Sequence, residues 1–156
     1  MARRSPFTLN TLGIDVDVGS SPTIEAARDA LGGRVLTERG AGEIVSVSMK
    51  RGGDAEGVVV CVSGETRDVW IGEGRFVRTS AERIRSLPAH REELVAVAVD
   101  ARRFAALREG DPVRAIKRDG SAVDGTLAEK CRYGALVVKD DAVLAVSFRR
   151  VMTAPS

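Results

Sequence analysis

Glu43-Ile44-Val45-Ser46-Val47-Ser48-Met49-Lys50, followed by Arg51-Gly52-Gly53-Asp54 and then by Val58-Val59-Val60-Cys61-Val62, is the stretch that decides the fold class. Val45, Val47 and Met49 stand two apart with Ser46, Ser48 and Lys50 between them, the period of a half-buried antiparallel strand. The glycines after Arg51 are turn residues, and the apolar run that follows has the length of a buried strand. Working outward, Gly40-Ala41-Gly42 precedes the first strand and Gly64-Glu65-Thr66 closes the apolar run. Five short strands fit between Arg34 and Arg78. Their spacing of about 8–12 residues, with short glycine-containing connections, predicts a small barrel or sandwich.

The C-terminal third continues in the same style. Leu94 to Val99 reads as a buried strand, and Asp100 as the N-cap of a short helix over 101–109 that carries Phe104 and Leu107 inward and stops at Gly110. Val113 to Lys117 and Val123 to Glu129 flank Asp119-Gly120, a dipeptide suited to a tight hairpin turn with both central residues at positive φ. Gly134 to Val138 and Ala142 to Phe148 flank Lys139-Asp140-Asp141 as a second hairpin. Toward the N-terminus, Ser20-Ser21-Pro22 opens a helix over 22–31, with Ile24, Ala27 and Leu31 on one face and Gly32-Gly33 as its left-handed stop. The loosely alternating Phe7, Leu9, Leu12, Ile14, Val16 and Val18 before it predict a peripheral strand or ordered arm. A third short helix is expected over 80–87, with Thr79 or Ser80 as its cap and Ile84 and Leu87 facing inward.

A weak internal repeat underlies this order. Gly57 leads through Val69-Trp70-Ile71 to Phe76-Val77-Arg78, and Gly134 leads through Val143-Leu144-Ala145-Val146 to Phe148-Arg149-Arg150. The expected architecture is therefore mainly β, two small antiparallel barrels in tandem: an arm and helix over 1–33, a first barrel over 34–87 and a second over 94–152. The charged junction Arg83 to Glu93, with Pro88, separates them, and the strand at 94–99 fits either.

The segment Leu107-Arg108-Glu109-Gly110-Asp111-Pro112-Val113-Arg114-Ala115, with Asp119-Gly120, Gly125-Thr126-Leu127, Gly134-Ala135-Leu136-Val137-Val138 and Val143-Leu144-Ala145-Val146-Ser147-Phe148, resembles a Tudor-type small barrel of the Src-homology kind. The resemblance is carried best by residues 107–151 and only loosely by the first unit. It implies a module that binds peptides, nucleic acids or other proteins without catalysis. The aromatic cage that some such barrels build around a methylated cation does not carry over, because only Tyr133 and Phe148 lie near the final hairpin and a cage requires several converging rings.

Composition narrows the function. The 156 residues are 44% hydrophobic and 29% charged with a net charge of +2, as expected of a folded chain without a large phosphate-binding face. No apolar run approaches the 18 or so residues of a membrane span, the basic Arg3-Arg4 start lacks the apolar segment of a signal peptide, and Cys61 and Cys131 stand far apart without a partnering histidine. A reduced, cytoplasmic setting is expected, with no membrane, metal or cofactor. His90 is the only histidine, Asp140-Asp141 is a strand-turn pair, and Gly40-Ala41-Gly42-Glu43 and Gly72-Glu73-Gly74-Arg75 lack the spacing of a phosphate loop, so no catalytic set assembles.

The binding residues are sought instead among arginines, which number 20 against 4 lysines. Arg75, Arg78, Arg83, Arg85 and Arg91 face only Glu82 in their stretch, and Arg78 and Arg85 are expected to meet Arg149 and Arg150 in a groove between the barrels, with Trp70 and Tyr133 as the aromatic members of the site. Such a surface suits the acidic side chains of a protein partner, which makes the chain an adaptor or regulator; nucleic-acid phosphates are the alternative ligand. Exposed edge strands also leave room for self-association.

Overall fold

The computed structural model describes residues 16–17, 24–35, 41–72, 74–88, 91–117, 119–140 and 142–155. The chain is mainly β, as two antiparallel sheets. Residues 1–15 and 18–23, which hold most of the expected arm over 1–20 and the helix start at Ser20-Ser21-Pro22, lie outside the described residues, as does His90. The chain divides into two compact units, one of residues 1–35 with 107–156 and the other of residues 36–106. The N-terminal segment, expected as a region of its own, thus belongs with the C-terminal sheet.

In the 36–106 unit the strands are β2 (Ile44–Ser48), β3 (Asp54–Ser63), β4 (Thr66–Gly72), β5 (Arg75–Ser80) and β6 (Ile84–Ser86), in the order β5-β4-β3-β2-β6. Val45, Val47, Val59, Val62 and Val69 form one buried cluster, backed by Met49, Ile71, Val77 and Ile84. The Val58 to Val62 run is apolar throughout because β3 is covered on both faces: α2 (Glu92–Ala106) packs on it.

Two expectations fail in this unit. Leu94 to Val99 is the first half of α2, and the helix runs unbroken through Asp100. Leu94, Val97, Ala98, Ala101 and Phe104 are buried at helical spacing, whereas Val95 and Val99 are exposed; Asp100 lies inside the helix, not at its start, and pairs with Arg103 at 3.0 Å. The helix expected over 80–87 is a 3-10 turn (Ala81–Arg83) followed by β6, because Ile84 must lie opposite Val47 in the ladder.

In the other unit β1 (Val16–Asp17), β7 (Pro112–Ile116), β8 (Ala122–Lys130), β9 (Gly134–Lys139), β10 (Ala142–Ser147) and β11 (Val151–Thr153) pair in the order β1-β10-β9-β8-β7-β11. The helix α1 (Ile24–Ala30) sets Ala27 and Leu31 into a cluster with Cys131, Leu136, Val143 and Ala145. Its end is a Schellman motif, in which Gly33 N–H donates to Arg28 O at 2.8 Å and Gly32 N–H to Asp29 O at 3.0 Å, with φ near 90° at both glycines. The turn at Asp119-Gly120 has positive φ at Gly120 alone. Asp119 accepts instead from Ser121 N–H at 2.8 Å, which holds its own backbone on the right-handed side.

The internal repeat exists in a register other than the expected one. Gly57 corresponds to Gly125, not Gly134: both sit in the strand that follows the first hairpin turn of their unit, β3 or β8, where a Cβ would strike the backbone oxygen of Trp70 or Val138. From there the match holds bond by bond. Gly42 N–H donates to Val59 O and Gly110 N–H to Leu127 O, each at 2.7 Å, with both pairs set 68 residues apart. The ladder shifts register after Val59 and after Leu127, and Ala81 and Phe148 donate to Glu65 and Tyr133. The sequence hides this because Val59 matches Leu127, Ile44 matches Pro112 and one residue is lost at the β9–β10 turn.

Both sheets curl. β5 and β6 are four ladder steps apart, about 19 Å across a flat sheet, yet Ser80 and Ile84 are joined by the three residues of a 3-10 turn. Four virtual bonds reach at most about 15 Å, so the ends of the sheet must bend toward each other. The same holds for β10 and β11 around the 3-10 turn Phe148–Arg150.

Candidate functional site

The bend of the 36–106 sheet brings β5 and its 3-10 turn to the end of β2, although the two strands are not ladder neighbours. Between them lies a pocket of about 510 Å³ lined by Ser48, Met49, Lys50, Arg51, Val77, Arg78, Thr79, Ser80 and Arg83. Met49 and Val77 supply its apolar surface and pack on the valine cluster. Three hydroxyls and four cations supply the rest, and no carboxylate is among the lining residues.

The cations differ in what they already hold. Arg78 Nε donates to Asp68 Oδ1 at 3.1 Å, and Asp68 is fully buried while the Arg78 side chain is half exposed. This pair is a structural necessity, since a buried carboxylate without its cation is costly. Lys50, Arg51 and Arg83 are exposed and have no ion-pair partner among the described residues. Three uncompensated positive charges around one concavity focus a field that attracts anions.

The remaining residues expected at the site are distributed differently. Arg85 pairs with Asp54 at 3.0 Å and Arg91 with Glu56 at 3.6 Å, so both are neutralised on the surface; Arg75 is exposed but outside the pocket lining. Trp70 is buried at 4% exposure and is a core residue of β4, which corrects its place among the ligand-binding side chains. Arg149, Arg150 and Tyr133 belong to the other unit. There Arg150 donates to Lys117 O at 3.1 Å, Arg149 N–H donates to Ser147 Oγ at 3.0 Å, and the ring of half-buried Tyr133 lies against Gly32. Lys50 and Arg51 were not singled out from sequence. They occupy a Gly-rich turn with balancing acids nearby in sequence, and only the bend of the sheet sets them opposite Arg83.

A second cluster of charges, in the other unit, is a structural network. Arg28 holds Glu129 through two bonds of 2.6 Å, Arg34 holds Glu109, and Lys130, buried, donates from Nζ to Leu107 O at 2.9 Å. Hydrogen bonding from Arg28 keeps the Glu129 carboxyl below its usual range, and Arg34 does the same for Glu109. Burial pushes the Cys131 thiol beside them up to about 12, so it stays protonated and unreactive. Glu129 and Glu109 are thus each engaged by an arginine. Among the described residues no group of His, Cys, Asp and Glu could hold a metal ion, and no helix is long and apolar enough to cross a membrane.

No family model matches the chain, and no curated protein is significantly similar to it.

Proposed function

We propose that the protein is a non-enzymatic interaction module of two small Src-homology-type barrels, and that its 36–106 unit binds an acidic segment of a protein partner. The observation that carries this reading is the pocket in which Lys50, Arg51 and Arg83 converge without a lining carboxylate over the aliphatic Met49 and Val77. The curl of both sheets supports the barrel form. A peptide is favoured over a nucleic acid because no aromatic side chain lines the pocket to stack a base, and because a chain of net charge +2 offers no extended phosphate track. An acidic peptide with aliphatic side chains uses both the charge and the apolar floor. The reading places the module in a regulatory or adaptor role, inside the cell.

The test is fluorescence anisotropy of a labelled peptide of alternating Asp and Val against the full chain at low salt, beside single-stranded DNA and RNA of equal length. Saturable peptide binding that weakens with salt, and that Lys50→Glu with Arg51→Glu and Arg83→Glu abolishes, is expected. Tighter binding of either oligonucleotide would replace the protein partner by a nucleic acid. Arg78 and Arg85 are left intact, because Arg78→Ala would take a cation away from buried Asp68 and report lost stability instead of lost binding.

A further inference from the structure

The two units repeat the same ladder, but they differ at one edge. In the C-terminal sheet the outer side of β10 carries an additional antiparallel strand, β1, with Val16 opposite Ala145 and Asp17 opposite Leu144. In the other unit the equivalent strand is β5, where Val77 stands for Leu144 and Arg78 for Ala145; their partners across the ladder, Val69 and Val137, are themselves equivalent. β5 ends its sheet and is paired with β4 alone among the described residues. Its residues Val77, Arg78, Thr79 and Ser80 are one wall of the pocket. What one unit closes with a piece of its own chain, the other presents as a basic pocket wall.

We propose that this edge is the docking site for an extended segment of a partner protein in which aliphatic and acidic residues alternate, added to β5 as a sixth strand. The inference rests on the pocket reading above and specifies its geometry. Two observations choose this occupant. The chain's own strand on the equivalent edge is Val16–Asp17, an aliphatic and an acidic residue paired with Ala145 and Leu144, and the sequence around it, Ile14-Asp15-Val16-Asp17-Val18, alternates in that manner. The charge then selects acids more strongly at β5: positions occupied by Ile116, Asp119 and Ala145 in the C-terminal unit are Ser48, Arg51 and Arg78 here. Strand addition supplies affinity through main-chain hydrogen bonds and specificity through alternate side chains. The two-residue period sets one row of acids toward Lys50, Arg51 and Arg83.

The experiment compares three forms of the alternating Asp-Val peptide on the full chain: unmodified, N-methylated at odd residues, and N-methylated at even residues. Only one set of amides faces the edge in an antiparallel pair. One methylated form should therefore bind at least about tenfold more weakly and the other within about twofold of the parent, and the peptide should slow amide exchange within Val77 to Ser80. Equal binding of all three forms, still abolished by the triple charge reversal, would overturn strand addition and leave the pocket reading standing. No binding of the unmodified peptide would overturn both. Concentration-dependent self-association that the peptide reverses would make a second copy's Ile14–Val18 the occupant and overturn the proposal of a foreign one.

Discussion

Glu129 shows how much of the charge in this protein is structural. Its carboxylate receives both donors of Arg28 across 101 residues of sequence, and its pKa lies below the ordinary 4.5 because hydrogen bonding to the guanidinium favours the ionised form. A depressed folded-state pKa contributes stability that is fully present above the unfolded value and is lost as pH falls through the folded one. Glu129→Gln should therefore lower the thermal midpoint at pH 7, and the difference from wild type should begin to shrink as pH falls below the ordinary carboxyl range of the unfolded chain and disappear once pH has passed the lower folded-state value, where the wild-type carboxylate is itself protonated. A constant difference from pH 7 to pH 2 in thermal melts would show that the pair stabilises through packing alone. The same logic separates the basic residues of the other unit. Arg78 and Arg85 are committed to Asp68 and Asp54, while Lys50, Arg51 and Arg83 retain their charge for a ligand.

Among the elements, α2 is the one whose character the residue order concealed. Leu94-Val95-Ala96-Val97-Ala98-Val99 is an unbroken apolar run of the kind found in buried strands, and periodicity cannot distinguish the two cases when the run itself has no period. The structure resolves it by burial. Val97 is fully buried against the sheet, while Val99 is 47% exposed. Val97→Lys should unfold the protein or cost several kcal/mol, about 3 or more, by burying an unpaired charge, whereas Val99→Lys should change stability by less than about 0.5 kcal/mol. Denaturant melts of the two variants check this, and equal destabilisation would restore the strand. The helix α1 was easier to read, because Ile24, Ala27 and Leu31 keep helical spacing and Gly32-Gly33 allows the left-handed exit that its Schellman motif uses.

For the whole molecule, the division into units makes a prediction about fragments. Residues 36–106 form one contiguous unit with their own valine core and α2. Expressed alone, they should fold cooperatively and retain the peptide binding of the full chain. Residues 107–156 alone lack Ala27 and Leu31, which cover Leu136, Val143 and Ala145, and should melt well below the same segment supplied with a synthetic peptide of residues 24–35. Circular dichroism melts of the fragments, with and without that peptide, provide the measurement; equal midpoints would mean that α1 adds nothing to the sheet.

The order of residues determined most of the strands, β6 excepted, the places of the hairpin turns, the stop of the first helix, and the fact that the second half echoes the first. Each of these is set by neighbours within a few positions, through side-chain alternation and glycine φ. Tertiary structure alone decided that 94–106 is one helix, that the N-terminal helix serves the C-terminal sheet, and that Gly57 is matched by Gly125. It also decided which cations remain available for a ligand. A local pattern specifies which face of an element seeks a core but not which segment supplies that core, and a charge is free or spent according to a partner ten residues away, as for Arg78, or about a hundred, as for Arg28.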